Sequence, residues 1–149
     1  MTASGKPNPP PPPLFETRRL DQSRPGKLTF VKLLKKGACQ FDDFLTQLER
    51  EGGYDKEVDK AINLMDQLAR CKPLRGPQHH ALGTLDRTVK GKTHTVTCYE
   101  IKTANLRIYY FHHPPNTEIV VFMGKKNTQP TDLSAFESLV GRYLEFIYS

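Results

Sequence analysis

Three consecutive segments in the second half of the chain are dense in β-branched and aromatic residues. They span 93–102, 105–113 and 117–124, and residues of these kinds favour a pleated, half-buried strand. The breaks around Thr103–Asn105 and Pro114–Asn116 have the length of hairpin turns. The sequence therefore predicts an antiparallel meander of three strands, which commits this half of the chain to one sheet.

Further elements are predicted on both sides of this meander. Before it, a strand-like segment at 28–34 is followed by apolar residues at helical spacing in 41–48 and again in 55–71, with Gly52-Gly53 between them. After it, apolar residues at three- and four-residue intervals predict a closing helix over 132–147. The predicted order is thus β-α-α-β-β-β-α.

This order indicates an α+β fold. Two antiparallel helices joined by a glycine turn must lie together on one face of the sheet, because each has an apolar stripe to bury. The first strand, which has no neighbour in the meander, joins the sheet after the helices. We expect one domain over 28–149.

The N-terminal segment has a different composition. Residues 1–27 contain seven of the 12 prolines, including the unbroken run Pro9–Pro13, and few apolar residues. Consecutive prolines fix an extended geometry and remove backbone donors. We therefore expect residues 1–27 to form a disordered, Pro-rich tail.

The positive charge of the chain is concentrated in one segment. The net charge is +6, and residues 72–131 hold nine basic and three acidic residues together with all five histidines. The part at 72–92 contains several prolines and glycines, which predicts a basic loop. Such a segment fits a polyanionic partner, with nucleic acid the leading candidate, or a solubilising face.

Several classes of protein are excluded by composition. No apolar run approaches the ~20 residues that a membrane span needs, and the polar N-terminus is unlike a signal peptide, so we expect a cytoplasmic protein without membrane contact. The three cysteines are Cys39, Cys71 and Cys98. Their odd number and wide spacing argue against a disulfide framework and a cysteine zinc site.

Three motifs in sequence order carry a family resemblance. They are Tyr99–Lys102 (Tyr-Glu-Ile-Lys), Arg107–Tyr110 (Arg-Ile-Tyr-Tyr) and Gly124–Pro130, which opens the closing helix. In this order and topology the chain resembles toxins of the RelE/ParE superfamily, most of all the HigB-like, phage-related branch. The resemblance covers residues 28–147 and is sharpest over 99–130.

The resemblance implies a type II toxin–antitoxin toxin with a RelE-like fold. RelE-like members are small ribonucleases that cut mRNA, mostly in the ribosomal A site, and need no metal or other cofactor. The implied partners are a cognate antitoxin, mRNA and the ribosome. Two alternatives stay open: a non-enzymatic ParE-like inhibitor of DNA gyrase, and a non-toxic, phage-related nucleic-acid-binding protein.

Candidate catalytic residues lie on the matching strands. Arg107 alternates with apolar neighbours and so projects to the opposite face from them, where its planar guanidinium suits a phosphate. Lys102 matches the basic position of the first motif and is a second candidate for phosphate contact. Glu100 lies on the same side as Lys102, as either a general base or an ion-pair partner.

The histidines supply the candidate for a general acid. His94, His112 and His113 lie at strand ends near the meander, and we choose His112. No histidine pair has the spacing of a metal motif, so we expect no metal.

The remaining candidates are cations expected to bind the RNA backbone rather than to read bases. Lys125 and Lys126 match the lysine pair of the family turn. The basic loop adds Arg87, Lys90 and Lys92. We expect a one-sided phosphate-binding surface centred on Arg107, Lys102 and the pair Lys125-Lys126.

Overall fold

A computed structural model describes residues 8–20 and 26–149 of the chain. Six strands and three α-helices form its regular structure. The strands are β1 (Phe15–Arg19), β2 (Thr29–Lys35), β3 (His79–Val89), β4 (Lys92–Lys102), β5 (Leu106–His113) and β6 (Thr117–Lys125). The helices are α1 (Gln40–Glu51), α2 (Asp55–Ala69) and α3 (Gln129–Ile147).

The strands form one mixed sheet in the order β1-β2-β6-β5-β4-β3. β2 pairs with β6 in parallel, and the other neighbouring strands are antiparallel. The predicted α+β class, the meander and the three helices are confirmed. The strand predicted at 28–34 joins the meander beside β6 and pairs with it in parallel, as two strands joined by a long connection can.

Helices cover both faces of the sheet. Successive side chains of a strand point to opposite faces: Ile108 and Tyr110 of β5 pack in a core with α1 and α2, whereas Tyr109 and Phe111 pack in a second core with α3. We call these the hairpin face and the α3 face. The helical hairpin is thus on one face, as predicted, and the closing helix covers the other.

The predicted disordered tail is wrong for residues 15–19, which form β1 and pair with β2. Phe15 is buried and makes edge contacts with the rings of Tyr143 and Phe146 on α3. Phe15, the buried Leu20 just after β1 and backbone pairing with β2 are enough to add an edge strand, although the segment is poor in apolar residues. Of the predicted tail, residues 1–7 and 21–25 lie outside the described residues.

The predicted basic loop at 72–92 is also wrong, because residues 79–89 form the edge strand β3. Most of its side chains are exposed, so alternation of apolar and polar residues gives no signal here. Backbone pairing with β4 holds it, and Lys90-Gly91 closes the hairpin with φ of 52° and 78°, the positive values that a tight hairpin turn needs. The meander therefore has four strands. No α-helix in the described part of the chain is long and apolar enough to span a membrane.

Candidate functional site

Three of the four predicted catalytic residues meet at one end of the α3 face. β4 and β5 pair so that Lys102 lies opposite Arg107 and Glu100 lies opposite Tyr109, which places all four side chains on the same face. The first turns of α3 bring Asp132 to this end. We call Glu100, Lys102, Arg107, Tyr109 and Asp132 the Arg107 cluster.

Arg107 is held by backbone carbonyls. The residue is only 6% exposed, and its Nη1 donates to the carbonyl oxygens of Thr103 at 2.7 Å and Leu106 at 2.8 Å. Its Nε is buried and has no hydrogen-bond partner among the described residues. Nη1 of the guanidinium that was predicted to contact a phosphate therefore stabilises the turn between β4 and β5.

Glu100 and Lys102 form an ion pair that connects the inside of the cluster to the surface. Glu100 is 2% exposed; its Oε2 accepts a hydrogen bond of 2.5 Å from Gln129 Nε2, and its Oε1 lies 3.5 Å from Lys102 Nζ. The Lys102 side chain is 30% exposed. Glu100 was predicted to be either a general base or an ion-pair partner, and in the structure it forms the ion pair. The partly exposed ammonium of Lys102 thus lies between solvent and the buried carboxylate of Glu100.

Sequence reasoning did not find two members of the cluster. Tyr109 OH is buried without a hydrogen-bond partner in the described structure, and burial raises its pKa, as do the charges of Glu100 and Asp132. Asp132 Oδ2 accepts a hydrogen bond of 2.6 Å from Thr128. The alternation that selected Arg107 also predicts Tyr109 on its face, whereas Asp132 depends on where α3 docks.

Gly124 leaves space for the carboxylate of Asp132. It lies opposite Arg107 on β6, and a Cβ built on it would overlap Asp132 Oδ2. The close approach of α3 to the sheet therefore depends on a residue without a side chain.

Lys125 and Lys126 lie at the same end of the sheet. The Lys125 Nζ is 2.5 Å from Glu51 Oε1 and 5.3 Å from the centroid of the Tyr54 ring. The hydrogen bond raises the pKa of Lys125 and lowers that of Glu51. The two lysines line a pocket of about 340 Å³ with Tyr54, Asn105 and Asn127. Lys125 is thus bound to the hairpin side, and Lys126 is exposed.

Arg87, Lys90 and Lys92 lie at the other end of the sheet. Ten positions of β4 separate Lys92 from Lys102, a distance of ~33 Å along a strand. Arg87 Nε is 3.4 Å from Glu145 Oε1 on α3, and Lys90 and Lys92 are exposed. β3 and β4 are thus long enough to separate these three RNA-binding candidates from the surface predicted around Arg107, Lys102 and Lys125-Lys126.

His112 is also apart from the Arg107 cluster. It lies five positions along β5 from Arg107, or ~17 Å, and on the hairpin face. Its Nδ1 is 2.5 Å from Glu118 Oε1, while Glu118 Oε2 is buried without a hydrogen-bond partner among the described atoms. Burial raises the pKa of Glu118, and the hydrogen bond with His112 opposes this. The structure does not bring His112 to the other predicted catalytic residues.

Other histidines make aromatic contacts. His79 Nε2 is 2.7 Å from Tyr110 OH, and the His79 ring stacks on Tyr99, with burial lowering the pKa of His79. His94 stacks on Tyr148 with ring centroids 3.5 Å apart. Within residues 8–20 and 26–149, no three His, Cys, Asp or Glu side chains lie close enough together to hold a metal ion.

The chain was compared with protein-family models, curated proteins and solved structures. None of the three comparisons gave a match. The geometry of the Arg107 cluster, with an exposed cation in front of a buried carboxylate, is therefore the basis for a functional proposal.

Proposed function

We propose that this protein is the toxin of a type II toxin–antitoxin system and a metal-free endoribonuclease that cleaves mRNA on the ribosome. In this proposal the segment β2-α1-α2-β4-β5-β6-α3 is a RelE-like fold, to which β1 and β3 add edge strands. A cognate antitoxin would neutralise the protein.

The observation that carries the proposal is the convergence of Glu100, Lys102 and Arg107. The three residues come from two different motifs, and strand pairing brings them to one end of one face. Metal-free RNA cleavage by the neighbouring 2′-hydroxyl needs a cation that stabilises the charge developing on the phosphate. Lys102 supplies a cation that is 30% exposed and anchored by a carboxylate 3.5 Å away.

The roles follow from burial. Lys102 contacts the phosphate, and Glu100 positions Lys102 from behind. Arg107 holds the β4–β5 turn through two carbonyl oxygens, so it is a positioning residue in this proposal. Lys126, exposed at the end of β6, supplies a second cation for the RNA backbone.

The test is induction of the protein in bacterial cells, with growth and mRNA 5′ ends measured together. We expect growth arrest and new 5′ ends within coding regions by primer extension. Lys102→Met, which keeps the length of the side chain but removes its charge, should abolish both. Lys92→Met is the matched control, because it makes the same change at an exposed position at the far end of β4, and it should leave both unchanged.

Other outcomes separate the alternative functions. Arrest without new 5′ ends would reject the nuclease and favour a gyrase inhibitor, which supercoiling assays would then detect. Absence of arrest with folded protein present would favour a non-toxic nucleic-acid-binding protein.

A further inference from the structure

A groove on the hairpin side is distinct from the Arg107 cluster. It has a volume of about 630 Å³ and lies between α2 and the segment that leads into β3. Seven of its ten lining residues are polar or charged. Hydrogen-bonding and charged side chains therefore predominate in the groove, as suits a polar ligand.

The charge of this groove is positive. Lys56 and Lys60 of α2 and Arg75 on the opposite wall line it, with Asp59 as its acidic residue. Among the ion pairs in the described part of the chain, none involves these three cations. Cations without an internal partner are available to a polyanion.

Uncharged hydrogen-bonding groups accompany the cations. The amides of Asn63, Gln67 and Gln78 line the same groove. On α2 the positions 56, 60, 63 and 67 follow at three- and four-residue intervals, so they lie along one side of the helix. A row of ammonium and amide groups in this order suits an extended chain of phosphates and sugars.

The groove begins beside the turn that Arg107 holds. Glu57, the neighbour of Lys56, accepts hydrogen bonds from Thr103 Oγ1 and from the backbone N–H of Asn105, the latter at 2.6 Å. The carbonyl of Thr103 in turn accepts from Arg107. The first turn of α2 and the Arg107 cluster are therefore attached to the same β4–β5 turn.

We infer that the groove between α2 and residues 73–78 binds the backbone of single-stranded RNA, on the opposite side of the sheet from the Arg107 cluster. The choice of RNA rests on the proposed function, whereas the polyanionic character of the ligand rests on the groove itself. Lys56, Lys60 and Arg75 contact phosphates, and the amides contact phosphate and ribose oxygens. An acidic peptide is the competing ligand, and the test must separate the two.

The experiment measures binding of a fluorescent, fully 2′-O-methylated oligouridylate of about 12 nucleotides to the full chain by anisotropy. Methylation blocks attack by the 2′-oxygen, so binding is measured without cleavage. For Lys56→Gln/Lys60→Gln/Arg75→Gln we expect a Kd at least ~10-fold weaker, and a slope of log K against log salt smaller by about 2, since each phosphate contact contributes ~0.7.

The matched control removes three exposed cations elsewhere. Lys90→Gln/Lys92→Gln/Arg142→Gln has the same net charge as the groove variant, and we expect its Kd to change less than ~3-fold. Circular dichroism and the unfolding midpoint establish that both variants are folded. Equal losses in the two variants would overturn the proposal, because the binding would then reflect net charge alone.

Two further results separate this site from its alternatives. Displacement of the RNA by an oligoglutamate of equal charge at the same concentration would reject RNA as the preferred ligand. Groove-dependent binding of the oligouridylate together with no new 5′ ends in cells would support the groove and reject the nuclease. If Lys102→Met abolishes cleavage but the groove variant binds the RNA as well as the unchanged protein, the nuclease would be supported and the groove would be rejected as an RNA site.

Discussion

Each end of the sheet has an arginine of the basic segment on the α3 face, but the two side chains are buried to different extents. Arg107 is 6% exposed and donates to two carbonyl oxygens. The side chain of Arg87 is 39% exposed and lies 3.4 Å from Glu145. A buried cation must satisfy its donors within the protein, whereas an exposed one is solvated. The same residue type is therefore structural at one end and replaceable at the other.

Gly124 and Gly141 show the same difference between a buried neighbour and one that can move into solvent. A Cβ on Gly124 would overlap the carboxylate of Asp132, which is 8% exposed and bound by Thr128. A Cβ on Gly141 would overlap the guanidinium of Arg87, which is the far end of a flexible, partly exposed side chain. The contact can relax at Gly141 by moving Arg87 into solvent, but it cannot relax so easily at Gly124.

The largest expected effect is that of Arg107→Ala. It leaves the carbonyls of Thr103 and Leu106 without this donor, and we expect the free energy of unfolding to fall by about 3 kcal/mol. Arg87→Ala removes a solvent-exposed ion pair and should cost about 0.5 kcal/mol. Urea denaturation of the two variants measures the difference, and equal losses would contradict the assignment of Arg107 as the structural arginine.

An intermediate effect is expected for Gly124→Ala. The new methyl group must displace Asp132 and the start of α3, at a cost of about 2 kcal/mol in the free energy of unfolding. Gly141→Ala should change it by no more than about 0.5 kcal/mol, because better helix propensity offsets the movement of Arg87.

A double-mutant cycle locates the cause of the Gly124 effect. If the methyl group clashes with the carboxylate, then Gly124→Ala and Asp132→Ala together should cost less than the sum of their separate effects. Additive losses would show that Asp132 is not the obstacle.

The smallest expected effect is on the pH dependence of stability, and it concerns Glu100 and Glu118, the buried glutamates at opposite ends of the sheet. Both oxygens of Glu100 have partners, whereas one oxygen of Glu118 has none among the described residues. Burial raises the pKa of Glu118 above its ordinary value of 4.5, so the folded protein keeps this proton at pH values where the unfolded chain loses it. Its contribution to stability therefore falls as pH rises from about 4.5 through the raised pKa.

Glu118→Gln should remove that contribution. We expect stability measured by urea denaturation between about pH 4 and pH 6 to depend less on pH in this variant than in the unchanged protein. Glu49→Gln, a change at an exposed position of α1, is the control and should leave the pH profile as it is. Identical profiles for all three proteins would contradict the raised pKa.

The sequence predicted most of the regular structure because apolar periodicity is strong where elements are buried. The three helices and the strands at β2, β4, β5 and β6 carry such patterns. β1 and β3 were missed because edge strands are held by backbone hydrogen bonds, which leave little trace in side-chain composition. Leu14, Phe15 and Leu20 were the apolar signals at β1, and in a Pro-rich segment they were not enough.

The candidate site was predicted in part for a related reason. Alternation correctly placed Glu100 and Lys102 on one side of β4 and Arg107 on the side of β5 away from Leu106 and Ile108, because a regular strand has a period of two. Only the pairing of β4 with β5 put all three on the same face. Alternation gave no information on how deeply each of these side chains is buried. Asp132 and Gln129 entered the site only when α3 docked on that face, and no local pattern specifies such a docking.

The sequence by itself determined the α+β class, the order of the strongly patterned elements and the alternation of side chains along the regular strands β4 and β5, since these depend on local periodicity. Tertiary structure decided which cations are buried and which remain exposed. It separated Lys90 and Lys92 from Lys102 along a long strand, bound Lys125 to Glu51, and left Lys56, Lys60 and Arg75 lining one groove. The physical reason is that burial and ion pairing depend on residues distant in sequence, which meet only in the folded chain.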